Sequence, residues 1–483
     1  MVLKSKIGIL VAAVLLSVAS CKKDDVDPNS GTNTNTTNPV AVANPNKEVN
    51  DWIYEQMKTY YLWADNIPAD KTKTKQTLDP MGKNADGYFY SLLNDYPNTD
   101  RFSWIQQSST ELVNSLNGIN KSTGIRYSIF FIDSQQKNLG FFVNYTIKGS
   151  PAERVGIKRG DIILTVNGTQ LTVDNYTSAL ANDNLTLGFG MRDGSNIVSN
   201  GKTISLTKEE VTENPVHFST VINKDNKKIG YLVYTQFISN NDNDLRNVFA
   251  DFKAKGVNEL ILDLRFNGGG FISSAVVLSS LIGKGVNSTK VMYTDEWNNL
   301  VTTEFKKRFG ENYFTKNFRD EPNAIGNNLS RVFVLTSRSS ASASELVINS
   351  LKPYMDVVLI GGNTFGKNVG SITISDDKKR WTYGMQPIVL RTVNALGKSE
   401  YGTRSGFTPD YPVTDNVVPF KPFGDEQETL LNKALSIITG KPVVMSVPNG
   451  RQSAPIRLER QVSINRADNP RMEISDMFAE PLK

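Results

Sequence analysis

Large side chains along this sequence change their spacing twice, and each change predicts a different kind of element. Val49, Trp52, Ile53, Gln56, Met57 and Tyr60 repeat at helical spacing, and a further apolar cluster follows at 87–93. Spacings of three and four residues bring side chains onto one helix face, so 47–113 is expected to form a small helical domain ending near 101–105. From 114 to 208 the runs become short and β-rich, as at 124–132 and 139–147. Turn signals separate them at 149–156 and at the Asn167-Gly168 pair. From 209 to 440 strand-like and helix-like runs alternate: strands at 230–237, 259–264, 332–335 and 357–360, helices at 242–255, 273–282 and 343–352. That alternation predicts a multidomain α/β protein with a layered core. Residues 441–483 are polar with two strand-like patches, and no role is assigned to them.

The first residues carry no fold signal. Lys4 and Lys6 precede an apolar run, 7–18, too short for a comfortable membrane span. Small residues then lead to Cys21, the only cysteine in the chain. A basic start, a short apolar run and small residues before a cysteine predict a lipoprotein signal peptide at 1–20, with lipidation at Cys21. Acyl chains partition into bilayers at about 0.8 kcal/mol per CH₂, so the expected partner is a membrane and the expected location the bacterial cell envelope. Residues 21–46, rich in Asn, Thr and Pro, read as a disordered tether. Over the 483 residues, 39% are hydrophobic and 21% charged, with a net charge of +5. The basic residues are interspersed with acids, so no nucleic-acid footprint is expected.

Candidate chemistry gathers where the α/β alternation is clearest. The apolar run 332–335 leads into a serine-rich turn, SRSSASASE at 337–345, and then a helix-like stretch. A second apolar run leads to a glycine-containing loop that ends at Lys367, 25 positions beyond Ser342. A serine at a strand-to-helix turn lies beside unpaired backbone N–H groups, which suits an oxyanion hole. Ala343 N–H is one candidate donor, and an amide of Gly268, Gly269 or Gly270 the other. Ser342 and Glu345 also fit a capping box. Lys367 acts as a base only when neutral, so burial must pull it down from a reference pKa of about 10.4. The one histidine, His217, is read as structural.

Residues 149–168, GSPAERVGIKRGDIILTVNG, resemble a PDZ domain of the bacterial, circularly permuted kind, spanning 114–208. That resemblance implies an open sheet edge for an extended peptide, with Gly124, Ile125 and Arg126 as the turn that receives it. Gly160-Asp161 is read as a structural turn. Behind this segment, LDLRFNGGG (262–270), SASASE (340–345) and GGNTFGK (361–367) resemble the carboxy-terminal processing (tail-specific) proteases. The resemblance implies a crotonase/ClpP-like peptidase core at 209–440 that hydrolyses extended protein segments by a Ser342–Lys367 dyad. It implies no metal and no cofactor. Many relatives carry a glutamine four residues after the lysine, where this chain has Ser371, leaving Ser371 as the candidate orienter. Two other readings stay open: a non-catalytic envelope peptide-binding protein with a degenerate peptidase core, and a hydrolase of non-peptide acyl bonds.

Overall fold

The computed structural model describes residues 46–82, 86–418 and 420–442, together with the backbone of the short strands Ile456–Arg457 and Met477–Phe478. The predicted signal peptide, Cys21, nearly all of the tether and most of 441–483 lie outside the described residues.

The central sheet has the strand order Val216–Lys224, Lys227–Tyr234, Glu259–Asp263, Arg331–Thr336, Asp356–Gly361, Tyr411–Pro412. The first pair is an antiparallel hairpin and the remaining pairings are parallel. Parallel strands bury both faces, and alternate residues show it. Leu232, Leu260, Leu262, Val332 and Val334 face a core built with helices Asp242–Ala254, Ile272–Ile282 and Ala343–Leu351. Tyr231, Val233, Ile261, Phe333 and Leu335 face the opposite core, closed by helix Thr429–Thr439. Predicted elements of this core recur within a few residues of their expected bounds.

A second sheet did not emerge from the apolar pattern. Its order is Gly270–Phe271, Met477–Phe478, Val369–Ser371, Ile388–Asn394, Val291–Trp297, Thr315–Asn317. Several of these strands have only two or three residues, too few for a visible alternation.

The predicted N-terminal helical domain has one long helix, Lys47–Tyr60, which buries Val49, Trp52, Ile53 and Met57 as expected. The rest is mostly turns and single helical turns. Its core is shared rather than private: the same cluster holds Trp297, Val369, Ile374, Met385 and Leu390. Strand Trp104–Gln106 pairs antiparallel with Gly384–Gln386. This segment therefore packs against strands of the second sheet and adds a strand to a small separate one.

Strands Ile125–Phe131, Leu139–Thr146, Ile162–Val166, Asn184–Asp193 and Asn196–Thr207 form a separate sheet in that order around their own core. The chain enters this module on Ile119–Ser122 and leaves on Glu209–Thr212, and the two segments pair with each other. Gly160 has φ +91°, and a Cβ there would lie 2.7 Å from the Phe420 carbonyl oxygen. Asp161 accepts from Lys158 N–H at 3.0 Å. Both fit the structural reading of that turn.

Candidate active site

Strand Arg331–Thr336 ends in the serine-rich turn, and helix Ala343–Leu351 begins directly after it. Most of the serines here are spent on holding the turn. Ser337 Oγ donates to the Arg265 carbonyl at 2.5 Å, Ser340 Oγ to that of Leu264 at 2.8 Å, and Ser344 Oγ to that of Asn267 at 2.9 Å. Together they fasten the turn to the segment that follows strand Glu259–Asp263. Ser342 differs. It is fully buried, and its Oγ has no hydrogen-bond partner among the described residues. Its φ of +62° is uncommon for a residue with a Cβ and costs on the order of 1 kcal/mol or more.

Glu345 joins this turn to the lysine loop. One carboxylate oxygen accepts from Ser342 N–H at 2.9 Å and Lys367 N–H at 2.8 Å. The other accepts from Gly366 N–H at 2.7 Å and Thr364 Oγ at 2.5 Å. Burial raises the pKa of Glu345, and these four donors oppose that rise. The expected capping-box arrangement is present, with Glu345 taking the Ser342 N–H and Ser342 Oγ facing the Glu345 N–H. Ser342 Oγ sits in the cap position without closing a hydrogen bond of its own. Glu345 thus binds the backbone N–H of both Ser342 and Lys367, a part beyond capping that sequence reasoning missed. A glutamate three residues after the serine was the available signal.

Lys367 is fully buried, with its amine 5.0 Å from the centre of the Phe102 ring. Arg101 Nη2 donates to the Gly366 carbonyl at 2.7 Å, and Phe365 N–H to that of Ser340 at 2.9 Å. At Gly366, with φ +87°, a Cβ would fall 1.7 Å from the Thr403 carbonyl oxygen, so the loop can make this approach only with glycine.

The three glycines after Asn267 have different environments. Gly269 N–H is taken by Asn267 Oδ1 at 2.9 Å, and the Gly269 carbonyl accepts from Phe237 N–H at 2.8 Å. Gly270 lies in a strand against Phe237, where a Cβ would come within 2.1 Å of the Phe237 carbonyl oxygen. Gly268 N–H has no hydrogen-bond partner among the described residues, and neither has Ala343 N–H at the start of its helix. Asn267 O accepts from Ala341 N–H at 3.1 Å and from Ser344 Oγ. This keeps the glycine segment beside the serine-rich turn.

Ser371 is buried at the end of strand Val369–Ser371. His217 lies between the rings of Tyr145 and Phe423, at 4.6 and 5.4 Å, and burial pulls its pKa down. At the PDZ-like turn, strand Ile125–Phe131 pairs on one side only, with Leu139–Thr146, leaving a sheet edge open among the described residues. Gly124 has φ +81° and its N–H donates to Ser122 Oγ at 3.2 Å. Arg126 is engaged elsewhere: its Nη2 donates to Glu213 at 2.8 Å. Glu213 also accepts from Tyr145 and Thr235. Burial disfavours the Arg126 charge, but Glu213 outweighs it and leaves the pKa raised.

Among the described residues, no group of three or more His, Cys, Asp or Glu side chains is arranged to hold a metal ion. No helix among them is long and apolar enough to cross a membrane.

Known families match in the same places. The model for Peptidase family S41 matches residues 228–413, that for the Peptidase S41 N-terminal domain 48–104, and that for a PDZ domain 142–188. The chain belongs to peptidase family S41. The S41 match runs from the second strand of the central sheet to its last and contains Ser342, Lys367 and the glycine segment. A C-terminal processing peptidase of chloroplasts, from Tetradesmus obliquus, is 28% identical over 288 residues, covering 56% of each chain. A probable CtpA-like serine protease of Staphylococcus aureus (strain bovine RF122 / ET3-1) is 27% identical over 246 residues, covering 50% of this chain and 44% of the relative. The matched region thus spans about half the length of these curated relatives. The crystal structure of a putative S41 protease from Bacteroides fragilis NCTC 9343 superposes with a TM-score of 0.66 at 28% identity, covering 80% of this chain and 97% of that one.

Proposed function

We propose that this S41 chain is a serine endopeptidase that cuts unfolded or extended protein segments, with Ser342 as nucleophile and Lys367 as general base. One observation carries the reading: the buried Ser342 Oγ has no hydrogen-bond partner among the described residues, while three neighbouring serines are bound to backbone carbonyls. Leaving a buried hydroxyl unpaired costs about 1–3 kcal/mol, a cost that capping alone does not require.

In this mechanism Ser342 Oγ attacks the scissile carbonyl carbon and its proton passes to the neutral Lys367 amine. Negative charge develops on the carbonyl oxygen, for which Ala343 N–H and Gly268 N–H are the unspent donors. When the C–N bond breaks, Lys367 returns the proton to the leaving amine and an acyl-enzyme on Ser342 remains. Lys367 then takes a proton from water, the resulting hydroxide attacks the ester, and the proton goes back to Ser342 Oγ as the new carboxylate leaves. Glu345 positions this machinery, because it binds the backbone of both Ser342 and Lys367.

The PDZ-like module supplies an open sheet edge for an extended peptide. Arg126 is spent on Glu213, so recognition there rests on backbone groups. Anchoring through a lipid on Cys21, and hence a place in the bacterial cell envelope, belongs to the same proposal and rests on the sequence before residue 22. A fluorophosphonate probe, which esterifies activated serines, tests the central assignment. Mass spectrometry is expected to find the adduct on Ser342 in the parent chain and none in Lys367→Ala. An adduct on another serine, or equal labelling of both chains, contradicts the assignment.

A further inference from the structure

The second sheet contains a strand that comes from far along the chain. Met477–Phe478 lies between Gly270–Phe271 on one side and Val369–Ser371 on the other. Both pairings are parallel, with Gly270 opposite Met477, Phe271 opposite Phe478, and Ser371 opposite Phe478. The flanking strands are each bound to this segment and not to each other. Without it they face across a slot one strand wide, about 9.5 Å from the ~4.8 Å spacing of paired strands.

The location of that slot matters. Gly268, with its unspent N–H, lies two residues before one wall, and Lys367 lies two residues before the other. A peptide entering the site proposed above must pass between the oxyanion donors and the base, and the slot offers it backbone partners on both sides. Two-sided strand addition demands an extended chain and no particular side chains.

We propose, on the basis of the peptidase reading, that Met477–Phe478 occupies the groove in which the substrate strand binds, so that the C-terminal segment of this chain is a tethered competitor of its own substrates. A segment on the same chain competes at an effective concentration in the millimolar range, well above that of most unfolded substrates in trans. Substrates bind in the same parallel register after displacing it. The chemical class this groove accepts is thus an extended polypeptide segment.

A reversible cross-link tests this in one folded protein. In a full chain carrying Cys21→Ser, Phe271→Cys and Phe478→Cys, the two new cysteines occupy paired backbone positions of adjacent strands. The oxidised form is expected to cleave an unfolded reporter at least tenfold more slowly than the same sample after reduction. Equal rates before and after reduction overturn the proposal. A second reading is independent of turnover. A labelled peptide of residues 470–483 is expected to bind the full chain carrying Ser342→Ala and Met477→Pro at least tenfold more tightly than the chain carrying Ser342→Ala alone, whose groove is filled. The same peptide with Phe478→Pro, which lacks one backbone donor, is expected to bind more weakly. Equal affinity for the two chains overturns the docking. Peptide binding that follows this pattern without reporter cleavage by any form leaves the docking standing and counts against the peptidase reading instead.

Discussion

Two turns in this molecule carry candidate functional residues, and they spend their polar groups in opposite ways. At the PDZ-like turn, the guanidinium of Arg126 is taken up by Glu213, which also binds Tyr145 and Thr235. In the serine-rich turn, neighbouring serines are consumed by backbone carbonyls, and Ser342 Oγ alone among them is known to be buried without a partner among the described residues. Residue type and motif position made both turns look functional. What separates them is whether the reactive or charged group is already paid for by the fold, and that is visible only once distant segments are brought together.

The largest effect expected is on catalysis. Ser342→Ala removes the unspent hydroxyl and is expected to lower reporter cleavage by about 10³-fold or more, with thermal stability unchanged or slightly higher, since an unsatisfied buried group is removed. Next is Glu345→Ala, which leaves buried N–H groups of Ser342, Gly366 and Lys367 unpaired. It is expected to cost about 3 kcal/mol or more in denaturant unfolding and to abolish cleavage. Glu345→Gln, which keeps the shape and some acceptors, is expected to do less on both counts.

Asp295 sharpens the comparison from another side. It is buried in the second sheet, and its Oδ1 has no hydrogen-bond partner among the described residues. Yet Asp295 lies within strand Val291–Trp297 and not at a strand-to-helix turn, so an unspent group alone does not make a site. Burial raises its pKa from 3.8 to about 7, with Lys316 opposing the rise. A carboxyl raised in the folded state contributes stability below its unfolded pKa and loses it as pH rises through the folded value. The contribution is thus full below about pH 4 and gone above about pH 7, a span on the order of 4 kcal/mol at 1.36 kcal/mol per unit. Asp295→Asn is expected to raise the melting temperature at pH 8 and to change it little at pH 4. Equal shifts at both pH values would count against the buried, unpaired carboxyl.

Smaller effects are expected where groups are already spent. Arg126→Ala leaves Glu213 without its cation and is expected to cost about 1–2 kcal/mol, reduced by the partial exposure of the arginine side chain. Its effect on peptide affinity at the PDZ-like edge should be slight, and isothermal titration of an extended peptide checks that. Ser340→Ala loses one hydrogen bond and is expected to cost about 1 kcal/mol while retaining most of the activity.

The central sheet was legible because its strands are long, buried on both faces and separated by helices with clear apolar stripes. Glu259–Asp263 and helix Asp242–Ala254 are examples. The serine-rich turn was legible for a related reason: strand, turn and helix follow one another locally. The second sheet was not, because Gly270–Phe271, Val369–Ser371 and Met477–Phe478 are too short to show a period and meet only through long-range pairing. The N-terminal helix was legible from its one apolar face. Sequence spacing cannot reveal that this face is completed by Val369, Met385 and Leu390. Glu345 and Arg126 were likewise read from their local neighbours, while further partners lie some 20 to 90 residues away.

Side-by-side cleavage of one unfolded reporter by the full chain, Ser342→Ala and Ser340→Ala tests the account most directly. Two buried serines of the same turn are compared, one unspent and one bound. The account predicts loss of cleavage by about 10³-fold or more in Ser342→Ala and near-parent rates in Ser340→Ala. Cleavage by Ser342→Ala at the parent rate, or equal loss in both variants, would contradict it.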